Sequence, residues 1–158
     1  MSERCVGLVV SAGDVTVVDT QVPADSEVPV SIVMDTNWKL PTGDRQHGYD
    51  ILHQQCVSYL KEQKVERVFV KASALPQGSS AKLSLLEGAE LRGVIMAAAA
   101  SVCTTKVIAK ATISRAYKRK VDDCIKDDSF WDEQVEGGTL RKGSREAAML
   151  VVSQRGRK

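Results

Sequence analysis

The chain opens on two valine-rich runs, "CVGLVVS" (Cys5–Ser11) and "VTVVDT" (Val15–Thr20), parted by Ala12-Gly13-Asp14. Short β-branched runs around a Gly-Asp pair are the pattern of a hairpin. "EVPVSIVM" (Glu27–Met34) predicts a third strand, with Pro29 marking an edge or a strand start. "DTNWKLPTGD" reads as a loop. Asp44 is placed to cap a helix over about Arg45–Lys64, which has Tyr49, Leu52, Cys56, Tyr59 and Leu60 on one face. "VERVFVKAS" (Val65–Ser73) is a continuous apolar run, the mark of a strand covered on both faces. "LPQGSS" is a loop, and Ser79 or Ser80 can cap a helix over about Ala81–Ser101. "TTKVIAKA" (Thr104–Ala111) predicts a fifth strand. A short helix near Thr112–Lys120, an acidic helix in "VDDCIKDDSFWDEQ", the loop "EGGTLRKGS" and a helix over Arg145–Gln154 complete the chain, with a basic tail at about 154–158.

The predicted order is β-β-β-α-β-α-β-α-α. Three antiparallel strands followed by two strands reached through helices give a five-stranded mixed α/β sheet, with helices on both faces and residues 1–158 in a single domain. On the Ala81–Ser101 helix, Ala89, Gly93, Ala97 and Ala100 recur at three- and four-residue steps and form a smooth stripe. Gly inside a helix costs about 1 kcal/mol against Ala, so Gly88 and Gly93 need a packing reason, and close approach to the sheet or to a neighbouring helix is expected there.

Composition adds compartment and charge. Four cysteines, Cys5, Cys56, Cys103 and Cys124, lie apart with no C-x-x-C pair, which argues for reduced thiols in the cytoplasm. No apolar run approaches the roughly 18 residues of a membrane span, and the N-terminus lacks the pattern of a signal peptide. His47 and His53, six apart, fall on different faces of a helix and are not read as metal ligands. Net charge is +2 but segregated: Lys106–Lys120 holds six basic residues and no acid, Val121–Glu136 seven acids and one Lys, and Gly137–Lys158 six basic residues and one Glu. Such blocks bind nucleic acid or pair with one another. No phosphate-cradling G-x-x-x-x-G-K-[ST] or G-x-G-x-x-G motif occurs. "LPQGSSAK" offers backbone and Lys82 to a phosphate, or simply caps a helix.

In order and spacing, "VGLVVSAGDVTVVD", "VFVKAS", "KLSLLEGAELRGVIMAAAA" and "GSREAAMLVV" together resemble the ribonuclease H-like superfamily, in its RuvC-like Holliday-junction resolvase branch. The resemblance runs from about Cys5 to Val152 and extends to small bacterial proteins of this layout. It implies nuclease chemistry with two Mg²⁺ ions held by three or four carboxylates, because hard cations about 4 Å apart need several anionic oxygens. Carried over by position, the first-strand Asp of the family falls on Val9. Its fourth-strand Glu falls on Lys71, or on Ala72 with a one-residue slip. Its last-helix acids fall on Gly143 and Glu146. One carboxylate of four remains, with Lys71 and Glu146 expected to pair where metals would sit.

The leading expectation is therefore a degenerate, non-catalytic RuvC-like domain that binds or scaffolds within a nucleic-acid-handling system, with no cofactor. Candidate phosphate contacts are Lys71, Lys82, Lys110, Arg115, Lys118, Arg119, Lys120, Arg141, Lys142 and Arg145. Few aromatic residues are available for base stacking, so contacts run to phosphates. Two alternatives stay open. One is an active Mg²⁺-dependent nuclease with relocated acids such as Asp14 or Glu87. The other is a structural subunit that dimerises, or joins a larger protein complex, through the Ala89/Gly93/Ala97/Ala100 face.

Overall fold

The computed structural model describes residues 1–75, 82–138 and 140–155. Its elements are β1 (Ser2–Val10), β2 (Asp14–Pro23), β3 (Val30–Lys39), α1 (Arg45–Glu62), β4 (Arg67–Lys71), α2 (Leu83–Ala100), β5 (Thr104–Ile108), α3 (Lys110–Tyr117), α4 (Val121–Lys126), α5 (Asp128–Gln134), β6 (Val135–Glu136) and α6 (Arg145–Val152). The proposed Ser79 or Ser80 cap, most of the "LPQGSSAK" loop and residues 156–158 of the basic tail lie outside the described residues.

The strands form one sheet in the order β5-β4-β1-β2-β3-β6. β1, β2 and β3 run antiparallel, β4 lies parallel to β1, and β5 lies parallel to β4. The sheet is six-stranded, not five. Val135 and Glu136 pair with Val30 and Ser31 as a two-residue sixth strand. Gly137, at φ +84°, then turns the chain close against Ile32. Two residues are too few to show any alternation in sequence.

β1 alternates sides, and this divides the core. Val6, Leu8 and Val10 pack with Leu52, Cys56 and Leu60 of α1 and with Leu91, Ile95, Ala98 and Ala99 of α2. Cys5 packs with Ala147–Val152 of α6 and with Ile113, Cys124 and Trp131 of α3–α5. Helices thus cover both faces, as the sequence implied. Among the described residues, no helix is long and apolar enough to cross a membrane.

Three local expectations need correction. Asp44 occupies the cap position of α1, but its side chain makes no capping hydrogen bond. The stretch "DTNWK", read as loop, continues β3 to Lys39. Trp38 from that stretch is buried and meets Tyr59 edge-on, with ring centroids 5.6 Å apart. The tail begins packed, since Gln154 is 4% exposed and Arg155 donates to the Pro23 and Asp25 carbonyls.

Candidate functional site

The parallel β1, β4 and β5 bring their C-terminal ends to one edge of the sheet. Gly7 pairs with Phe69, so Lys71, two residues further along β4, stands beside Val9 on the α6 side. A Cβ on Gly7 would lie 2.1 Å from the Ala147 carbonyl oxygen. Bare backbone at Gly7 therefore lets α6 sit directly on β1. Glu146 precedes Ala147, and this close seat carries its carboxylate to Lys71 Nζ.

The two form an ion pair, as the sequence suggested, with side chains 29% and 31% exposed. Ile108, Ile113, Val121 and Leu150 floor the depression beneath it, and Lys110 stands at its rim. The cavity is about 10 Å³, no more than a water needs. Lys110 pairs in turn with Asp122 at 2.8 Å, and this hydrogen bond lowers the Asp122 pKa.

A second polar group fixes the approach to α6. Asp35 on β3 accepts from the Arg141 guanidinium at 2.7 and 3.2 Å, from the Arg141 backbone N–H at 3.1 Å, and from the Ser144 hydroxyl. Burial pushes the Asp35 carboxyl upward, but the Arg141 and Ser144 hydrogen bonds outweigh it and its pKa falls below the usual range. Arg141 also reaches Asn37, and Asn37 reaches Asp14. This chain pins the turn Lys142–Ser144 to the sheet and so sets where Glu146 begins. Sequence reading missed Asp35 and Asn37 because they sit in the supposed loop. The i, i+2 spacing of two polar residues on a strand was the available signal.

The residues here do not fit a pair of divalent cations. Val9 offers no ligand atom, Gly143 has no side chain, Lys71 is a cation, and the Glu146 carboxylate is already engaged. Asp14 accepts from the Ser11 hydroxyl and from Asn37, and Glu87 pairs with Arg45 at 2.8 Å. Among the described residues, no group of three or more His, Cys, Asp and Glu is placed to hold a metal ion.

The basic candidates divide in two. Arg145 is 8% exposed, bonds the Ile125 carbonyl and pairs with Asp128 at 2.8 Å, so it is a buried brace and not a surface contact. Lys110–Asp122 and Arg119–Asp127 pair the basic block with the acidic segment inside the fold. Arg141 is committed to Asp35. Among the described residues, Lys82, Arg115, Lys118, Lys120 and Lys142 are exposed and form none of the ion pairs.

The Arg-Gly helix has a different packing from the one expected. α2 buries Gly88, Leu91, Ile95, Ala98 and Ala99, whereas Ala89, Ala97 and Ala100 are exposed and Gly93 is half-exposed. A Cβ on Gly93 would meet nothing within 4 Å, whereas one on Gly88 would touch the Ala12 backbone at 3.5 Å. The close approach lies at Gly88, one face round from the stripe. Arg92 ties the two strand ends together through the Val10 carbonyl at 3.0 Å and Ser73 Oγ at 2.5 Å, and burial lowers its pKa.

No protein-family model and no curated protein matches the chain. Solved structures do. RuvC of Thermus thermophilus, determined in complex with Holliday junction substrate, superposes at TM-score 0.71 and 9% identity, over 96% of this chain and 92% of that one. A second Thermus thermophilus RuvC structure gives TM-score 0.72 with the same identity and coverage. The yeast mitochondrial Holliday junction resolvase gives 0.65 at 12% identity, over 96% of this chain and 77% of that one. The chain has the ribonuclease H-like fold of these resolvases.

Proposed function

We propose that this chain uses a resolvase fold to bind or scaffold nucleic acid without cutting it. The observation that carries the reading is the Lys71–Glu146 ion pair, where two-metal cleavage would need a concentration of negative charge. The similar structure that holds a Holliday junction supports nucleic acid as the partner class. Binding runs through phosphates, with Lys118 and Lys120 exposed between α3 and α4 and Lys142 exposed at the turn before α6. The outward face of α2, with Ala89, Gly93, Ala97 and Ala100, serves as the contact for a second copy.

A salt titration tests the reading. Affinity for duplex or branched DNA should fall with salt, log K dropping by about 0.9 per phosphate contact per decade. Reversing Lys118, Arg119 and Lys120 to Glu should weaken all sequences alike and flatten the salt slope, because phosphate contacts carry no sequence information. Arg119 already pairs with Asp127 in an exposed bridge, so the loss of stability should be small. Wild-type protein that shows no salt-dependent binding would favour a purely structural role, with the basic block serving only its acidic neighbour.

A further inference from the structure

We infer that Lys71 is the resident cation of this site and stands where a divalent ion would need anionic oxygens. Register places its side chain next to Val9 and under α6, the point where the ends of β1, β4 and α6 converge. The carboxylate supplied by α6 is spent on the ammonium. The neighbouring pair, Lys110 with Asp122, repeats the arrangement at the rim. Each acid has its own internal cation, and the group as a whole is neutral. A divalent ion entering here would meet one occupied carboxylate, the ammonium groups of Lys71 and Lys110 and an apolar wall of Ile108, Ile113 and Leu150. Hard cations need several anionic oxygens to replace their water. Charge at a single position, Lys71, therefore decides which kind of cation the site holds.

The inference rests on the proposed function only in where it locates the site. Its test contains no nucleic acid, so the two fail separately. Mn²⁺ is the probe, read by water-proton relaxation and by thermal melting in EDTA against millimolar Mn²⁺. Wild-type protein should melt at the same temperature in both and show no saturable Mn²⁺ binding. Lys71→Glu opposes two carboxylates across the site, which repel without a metal and together favour Mn²⁺. This variant should gain saturable binding and a melting temperature that rises with Mn²⁺. The swap Lys71→Glu with Glu146→Lys restores one charge of each sign and should lose the binding again. If Lys71→Glu does not fold in EDTA, Mn²⁺ should restore its circular dichroism. Saturable Mn²⁺ binding by wild-type protein that disappears in Glu146→Gln would overturn the inference. So would a Lys71→Glu protein that neither binds Mn²⁺ nor is restored by it.

Discussion

Gly7→Ala should be among the most damaging single-methyl changes in this protein. The added Cβ would sit 2.1 Å from the Ala147 carbonyl oxygen and 2.9 Å from its carbon. Carbon–oxygen contacts of this kind settle near 3.3–3.6 Å, so α6 must retreat by about 1 Å. Neither partner can rotate away, since both are backbone in a central strand and a helix. The helix that must move has Ala147–Val152 fully packed. Overpacking a core costs about 1–3 kcal/mol, and the rigidity here favours the upper part, about 2–3 kcal/mol. For a chain of this size that lowers the melting temperature by roughly 4–12 °C. Retreat of α6 also withdraws Glu146 from Lys71, so the ion pair should be lost along with the stability. Calorimetry or circular-dichroism melting reads the first effect, and a double-mutant cycle of Lys71→Met with Glu146→Gln, whose coupling should vanish in the Gly7→Ala background, reads the second. Gly93→Ala is the control, because its Cβ meets nothing within 4 Å. In a helix interior this change should stabilise by up to about 1 kcal/mol. A Gly7→Ala protein that melts with the wild type would refute the packing argument.

Two further outcomes follow from the geometry. Asp35 has a depressed pKa in the fold, so its contribution to stability is present above the ordinary carboxylate value and lost as pH falls through the folded one. Asp35→Asn should therefore be less stable than wild type at neutral pH. In acid denaturation the gap should narrow below about pH 4, and a constant gap across that range would contradict the assignment. Gly93→Leu should not lower the melting temperature of the isolated chain, because the site is open and Leu, like Ala, favours the helix over Gly. If α2 is the dimer contact, the same change should shift the protein to monomer on a sizing column, and an unaltered dimer would place the contact elsewhere.

Much of the architecture was legible because the hydrophobic pattern repeats at the period of each element. The valine runs of β1 and β2, the covered run of β4 and the face Leu52-Cys56-Leu60 of α1 all match their buried positions. The pattern was weaker where polar residues point inward. Asp35 and Asn37 made β3 look like a loop, since nothing local announces that Arg141, about a hundred residues later, will satisfy them. The α2 stripe misled for the opposite reason. Small residues line several faces of this helix, and periodicity alone does not choose between Gly88, which touches β1's turn, and Gly93, which does not. At the site, positions Val9, Lys71 and Glu146 could be read individually, and the opposite charges of the last two foretold their pairing. Arg145 could not be sorted from its basic neighbours, because its burial depends on α4 and α5 folding over it.

The most direct test of the proposed function is one incubation of the wild-type protein with a labelled four-way DNA junction, with Mg²⁺, with Mn²⁺ and with EDTA, followed by native and denaturing gels. A module that holds phosphate through lysines and carries its own internal cation should retard the junction in EDTA at least as well as with Mg²⁺ or Mn²⁺, and leave every strand intact in all three. Strand cleavage that requires Mg²⁺ or Mn²⁺ and vanishes in Glu146→Ala would contradict it.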